Sequence, residues 1–170
     1  WQTLLENNDR PGGLVLTRQN VPVFPRGEEG FADTSNVHRG GYVLLDTDGG
    51  LPDVVLVGTG SEVQLAVRAR EILAAKDIRA RVVSMPCREW FDEQEPSYRE
   101  TVIPPTVKAR VSVEAGIKMG WREIVGDHGR CISIETYGAS ADFERIYQEY
   151  GVTAEAVADA AEDSIRTVTG

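Results

Sequence analysis

An arginine that directly follows an apolar run is the first residue in this sequence that could bind a substrate. Arg18 comes after residues 14–17, whose pattern is typical of a buried parallel strand. Parallel strands present ligand-binding side chains at their carboxyl ends. A guanidinium at such an end can hold a phosphate through paired hydrogen bonds, and Gln19 and Asn20 add neutral hydrogen-bonding groups. Spacing alone, however, favours an interdomain ion pair or a solvated arginine.

Two glycines at a strand-to-helix turn form the second candidate site. Gly58, Thr59, Gly60 and Ser61 follow a predicted strand and open a predicted helix, where free backbone N–H groups could bind an anion. The dinucleotide-binding pattern G-x-G-x-x-G is incomplete, because Val63 occupies the place of its third glycine. A tight turn without a ligand explains the same residues equally well.

The remaining reactive residue types do not form a catalytic or metal-binding pattern. His38 and His128, the only histidines, lie in a predicted linker and a predicted turn without a positioned partner. Cys87 and Cys131 lack the second ligand pair of a zinc site, and two thiols are too few for a disulfide framework. Ser140 is not part of a G-x-S-x-G nucleophile motif. We therefore predict no catalytic residue and no metal ligand within the chain.

Composition narrows the classes of partner. The chain is 41% hydrophobic and 26% charged, as in ordinary globular proteins. Its formal charge is -9 and it has no lysine and arginine cluster, which argues against nucleic acid. No apolar run approaches the roughly 20 residues that cross a bilayer. With no secretory signal at the N-terminus and few cysteines, we expect a soluble cytoplasmic protein.

The elements that must position these residues alternate between strands and helices. Strands are expected at residues 42–45, 53–57, 80–84, 109–113 and 131–135, and helices at residues 61–75, 98–102, 121–125, 140–150 and 153–167. Ser61 and Ser140 are predicted to cap two of these helices, and Glu62 to meet the positive end of the first helix dipole. The alternation predicts an α/β fold of three layers, α/β/α, with a mostly parallel, roughly five-stranded sheet.

This α/β domain is predicted to span residues 39–170. Residues 1–20, a helix end followed by one lone strand, cannot form a core and are interpreted as the tail of a preceding domain. Residues 21–38 are rich in proline, glycine and charge, which indicates an interdomain linker.

The string from Leu14 to Pro22 resembles the L-[ST]-R-Q-N-hydrophobic-P signature that ends the pyrimidine-binding domain of transketolases. Further strings resemble the carboxy-terminal domain of that family in the same order. They lie at residues 39–44, 58–63, 82–86, 91–94, 98–99, 113–117 and 137–141. One departure is Asp142, where many family members have proline; either residue is acceptable at a helix start.

The resemblance implies a function for the whole protein and a role for Arg18. It implies transfer of a two-carbon ketol unit between sugar phosphates, in the pentose phosphate pathway, by a homodimer that uses thiamine diphosphate and Mg²⁺. The family's cofactor-binding and catalytic residues lie upstream of Trp1, so the chain is expected to be an inactive fragment with a structural and dimer-stabilising role. The arginine of the R-Q-N motif binds the substrate phosphate in the family, and that position is Arg18 here.

Two alternatives stay open at this point. The first is the carboxy-terminal piece of a 2-oxoacid dehydrogenase beta subunit or of deoxyxylulose phosphate synthase, although the R-Q-N string and the Ser84-Met85-Pro86 run favour transketolase. The second is a freestanding, non-catalytic α/β module that binds an anion or a protein. A freestanding module should pack residues 1–17 into its own core, whereas a fragment should leave them loose or swapped onto a neighbour.

Overall fold

Continuous runs of valine and other apolar residues form the centre of the sheet, because helices cover both of its faces. The computed structural model describes all residues, 1–170. The strands are β1 Tyr42–Leu45, β2 Val54–Gly58, β3 Ala80–Ser84, β4 Arg110–Val113 and β5 Arg130–Ile132. The α-helices are α1 Gln2–Glu6, α2 Val63–Ala74, α3 Arg88–Asp92, α4 Pro96–Val102, α5 Arg122–Val125, α6 Phe143–Glu149 and α7 Ala154–Thr169.

The strand order is β1-β3-β2-β4-β5. The pairs β3–β2, β2–β4 and β4–β5 are parallel, and the pair β1–β3 is antiparallel. The predicted mostly parallel, five-stranded α/β sheet is thus confirmed. The chain leaves β2 through α2 on one face and leaves β3 through α3 and α4 on the other. The strand order therefore reverses between β2 and β4, where open α/β sheets usually bind ligands at the carboxyl edge.

Each face of the sheet has its own apolar core. Helices α2 and α7 pack on one face, where Leu65, Ala69 and Leu73 of α2 are buried, as their helical spacing predicted. Helices α3, α4 and α5 cover the other face, with Phe91 and Trp121 among the buried side chains. None of the helices combines the length and the apolar composition that a membrane span needs.

The first segment of the chain differs from its prediction. Residues 14–17 form no strand, and Val15 and Leu16 are 96% and 72% exposed. A strand needs a neighbour to pair its backbone groups, and no backbone hydrogen bond joins residues 14–17 to another segment. Helix α1 also contributes no buried residue. Residues 1–17 therefore lack the core packing that the freestanding-module alternative predicted.

The linker is more ordered than its composition suggested. Phe24 stacks on Phe31 with ring centroids 5.1 Å apart, and both pack against the core beneath α2. Residues 31 and 32 also cover the outer edge of β1, where Ala32 N donates to Leu44 O at 2.9 Å. The domain boundaries at residues 20 and 38 stay predictions.

The predicted helix caps were wrong in two places. Asp142, not Ser140, caps α6, because its carboxylate accepts from Glu144 N at 3.0 Å. Ser61 lies inside a 3-10 turn, Gly60–Glu62, and does not cap α2, which begins at Val63. Helix α3 was not predicted, and β5 ends at Ile132, three residues before its predicted end.

Candidate functional site

The Gly58 to Ser61 turn lies at the carboxyl edge of β2, where the strand order reverses. A side chain at Gly58 would place its Cβ 2.8 Å from Val63 Cα, so the turn needs a glycine for space. Gly60 has a φ of +54°, which glycine adopts without strain. Tight packing at Gly58 and the positive φ of Gly60 account for the two glycines without a ligand. The anion site at Gly58, Thr59, Gly60 and Ser61 stays a prediction.

A buried carboxylate stands directly behind this turn. Glu62 is 5% exposed, and its Oε2 accepts from Ala115 N, just after β4, at 3.2 Å. Its Oε1 accepts from Ser61 Oγ and from the Tyr147 hydroxyl, both at 2.5 Å. The carboxylate has three donors and no cation partner, so it joins β2, β4 and α6 by hydrogen bonds alone. Its negative charge also opposes an anion at the neighbouring turn.

Tyr147 connects Glu62 to the R-Q-N segment. Its single proton goes to Glu62, since a carboxylate can only accept, and its oxygen then accepts from Gln19 Nε2 at 3.3 Å. Burial, followed by the hydrogen bond to Glu62, raises the pKa of Tyr147 to about 12. The hydroxyl therefore stays protonated at neutral pH, and the order of donors and acceptors is fixed.

Arg18 lies next to this connection but is itself exposed. It takes part in none of the ion pairs of the chain. Thr17 Oγ1 accepts from Gln19 N at 3.0 Å, which closes a tight turn with Arg18 at its apex. The two candidate sites therefore lie on either side of Tyr147. Gln19, beside Arg18, and Ser61, of the glycine turn, both approach its hydroxyl.

The histidines and cysteines do not gather into a site. His38 Nδ1 bonds the Ser35 carbonyl at 2.7 Å, and burial raises the pKa of the Cys87 thiol, which disfavours the reactive thiolate. No group of three or more His, Cys, Asp and Glu side chains could hold a metal ion. The hydrogen bond between Tyr147 and Glu62 is not predicted by the sequence analysis. They stand 85 positions apart, so no local pattern relates them.

Comparisons with known proteins agree on one family. The family model described as the transketolase-like TK C-terminal domain matches residues 40–153. The transketolase of Mycobacterium tuberculosis is 56% identical over 172 residues, which cover 97% of this chain and 24% of the relative. The chain thus spans about a quarter of the length of such curated relatives.

Solved transketolases share the fold. A transketolase from Leishmania mexicana has a TM-score of 0.74 and is 34% identical, covering 84% of this chain and 20% of its own. The Pichia stipitis transketolase complexed with sedoheptulose-7-phosphate has a TM-score of 0.70 at 31% identity, covering 81% of this chain and 19% of its own.

Proposed function

The chain belongs to the transketolase family. We propose that it is part of an enzyme that transfers a two-carbon ketol unit between sugar phosphates. The observation that supports this most is the family match over residues 40–153, joined to 56% identity with the mycobacterial transketolase across 97% of the chain. Both matches favour transketolase over a 2-oxoacid dehydrogenase beta subunit or deoxyxylulose phosphate synthase. The reaction, and its place in the pentose phosphate pathway, belong to the full-length protein.

The cofactors proposed for the full-length enzyme are thiamine diphosphate and Mg²⁺. When bound, thiamine diphosphate supplies the carbanion chemistry of ketol transfer. The residues of this chain do not form a metal-ligand group, and in this proposal the residues that hold both cofactors belong to the rest of the full-length enzyme. We expect the isolated 170-residue chain to show no ketol transfer when both cofactors are added; measurable turnover would contradict this.

Arg18 is the proposed contact for the substrate phosphate. Its guanidinium is exposed and has no carboxylate partner, so its hydrogen-bond donors are free for a ligand. Structural relatives from Pichia stipitis are complexes with xylulose-5-phosphate and fructose-6-phosphate, which supports a phosphorylated substrate. A phosphate held by Arg18 is bound in both the ground state and the transition state. Loss of the Arg18 side chain should therefore raise KM more than it lowers kcat.

Residues 39–170 have a structural and dimer-stabilising role in this proposal. The two apolar cores stabilise the sheet. Phe24 of the linker packs against one core, and Gln19 of the R-Q-N segment bonds to Tyr147 of α6. The proposed assembly is a homodimer in the cytoplasm. Gel filtration with light scattering on the full-length enzyme tests the dimer directly.

An arginine comparison tests the substrate role. In the full-length enzyme, we expect Arg18→Ala to raise KM for a ketose phosphate about 10- to 100-fold, the value of one or two charge-assisted hydrogen bonds. Arg166→Ala is the matched control, because Arg166 is exposed near the opposite, amino edge of the sheet. Equal KM values for both variants would refute the role of Arg18.

A further inference from the structure

The hydrogen-bond series Gln19 to Tyr147 to Glu62 links the candidate phosphate-binding segment to the buried frame of the α/β domain. Gln19 Nε2 donates to the Tyr147 hydroxyl at 3.3 Å, and that hydroxyl donates to Glu62 Oε1 at 2.5 Å. Glu62 in turn accepts from Ala115 N, beyond the end of β4. Gln19, at one end of the series, is half-buried beside the exposed Arg18, and Glu62, at the other end, is 5% exposed at the carboxyl edge of the central strands.

The buried end of the series is held by several contacts. Glu62 is held by three donors, and the Tyr147 ring packs edge-on against Phe143 with centroids 6.0 Å apart. The Tyr147 hydroxyl keeps its proton at neutral pH, so its oxygen always presents an acceptor to Gln19. The Gln19 end has less support, because the hydrogen bond of Gln19 to Tyr147 is the contact that ties this turn to α6.

The turn around Arg18 connects the backbone of Arg18 to the held Gln19. Thr17 Oγ1 accepts from Gln19 N at 3.0 Å and donates to Gln19 O at 3.1 Å, so the backbone on both sides of Arg18 is closed upon itself. A hydrogen bond that holds the Gln19 side chain therefore restrains the backbone that carries Arg18. A guanidinium on a restrained backbone loses less entropy when it binds a phosphate.

We infer that Tyr147, supported by Glu62, is a positioning residue for substrate binding, which acts by holding Gln19 and so placing Arg18 for the phosphate of the sugar substrate. The inference rests on the proposed role of Arg18. It gives residues 39–170 a part in substrate recognition beyond a structural one. Neither Tyr147 nor Glu62 touches the substrate in this account.

Two substitutions in the full-length enzyme test the inference. Tyr147→Phe removes the hydroxyl and keeps the ring against Phe143; Gln19→Met removes the amide and leaves the Tyr147 and Glu62 contact intact. Each should raise KM for a ketose phosphate about 5-fold or more, the equivalent of leaving one backbone residue unrestrained. Each should leave KM for a ketol donor without phosphate unchanged, with little effect on kcat.

The matched control is Tyr150→Phe. Tyr150 follows α6 and donates to the Tyr137 carbonyl at 3.0 Å, so its hydroxyl has the same chemistry without a link to Gln19. This variant should leave KM for both donors unchanged. In an Arg18→Ala background, Tyr147→Phe should not raise KM for the ketose phosphate any further, because the guanidinium that Tyr147 positions is absent.

The outcomes separate the two proposals. If Arg18→Ala raises KM for the phosphorylated donor but Tyr147→Phe and Gln19→Met do not, the positioning role is overturned and the proposed function stands. Equal KM changes for both donors, or effects additive with Arg18→Ala, identify a merely structural role and also overturn the inference. If Arg18→Ala leaves phosphate binding intact, the proposed role of Arg18 fails, and this inference fails with it.

Discussion

Replacing Glu62 by glutamine should destabilise the isolated chain by about 2 kcal/mol. The carboxylate accepts three hydrogen bonds in a site that is 5% exposed. Glutamine can keep its oxygen toward Ser61 and Tyr147, but these bonds lose their charge-assisted strength, roughly 1 kcal/mol each. Its amide then faces Ala115 N–H, donor against donor, and leaving that buried donor unsatisfied costs about 1–3 kcal/mol.

An opposing term reduces this sum. A buried carboxylate is costly to desolvate, and glutamine removes that cost, which is why we expect about 2 rather than 4 kcal/mol. For a domain of this length, such a loss lowers Tm by about 4–8 °C. Urea and thermal unfolding followed by circular dichroism measure both quantities.

The control for this experiment is Glu155→Gln. Glu155 also lies in the first turn of a helix, α7, but it is exposed and interacts only with the helix dipole. Its loss should cost less than about 1 kcal/mol. If Glu62→Gln costs no more than Glu155→Gln, the three hydrogen bonds do not outweigh the burial of the charge, and the account of this site is refuted.

Three further predictions concern the backbone, pH and the first segment. Gly40→Ala should cost over about 3 kcal/mol, because the new Cβ would collide with the Cys87 carbonyl oxygen at a φ of +78°, whereas Gly49→Ala, at a φ of +77° in open space, should cost about 1–2 kcal/mol in urea unfolding. Burial and Glu62 raise the pKa of Tyr147 to about 12, so above pH 10 the unfolded chain releases this proton first. The free energy of unfolding should then fall by up to about 2 kcal/mol between pH 10 and 12, and less steeply in Tyr147→Phe. Leu16→Asn should change the stability of the isolated chain by less than about 0.5 kcal/mol, since Leu16 is exposed, but destabilise the full-length enzyme by about 2 kcal/mol or more if residues 14–17 join a neighbouring sheet; equal effects would contradict that assignment.

Sequence patterns predicted the elements whose burial is local. Strands β1 and β3 have the predicted bounds, because each apolar run ends where polar or turn residues begin. Helix α2 follows the predicted spacing of Leu65, Ala69 and Leu73 for the same reason. Helix α3, five residues long and without a side-chain cap, had no comparable signal.

What the sequence could not predict depends on distant contacts. Ser140 and Asp142 are both good caps two residues apart, so residue type alone does not show that α6 begins after the second of them. The apolar run at residues 14–17 has strand character, but a strand forms only where a neighbour exists. From its place in the sequence, Glu62 is expected only to interact with the helix dipole. Its burial depends on Ala115 and Tyr147, which approach it from other parts of the fold.

Both edges of the sheet are protected, and this affects how copies of the chain behave toward each other. The outer side of β1 is already bonded by residues 31 and 32, and β5 is three residues long, with Arg130 held by Asp163 at 2.6 Å. Short or covered edges offer few free backbone groups for an added strand. The exposed residues 14–17 of one copy therefore have no free sheet edge on another copy to pair with. This disfavours polymers formed by strand addition.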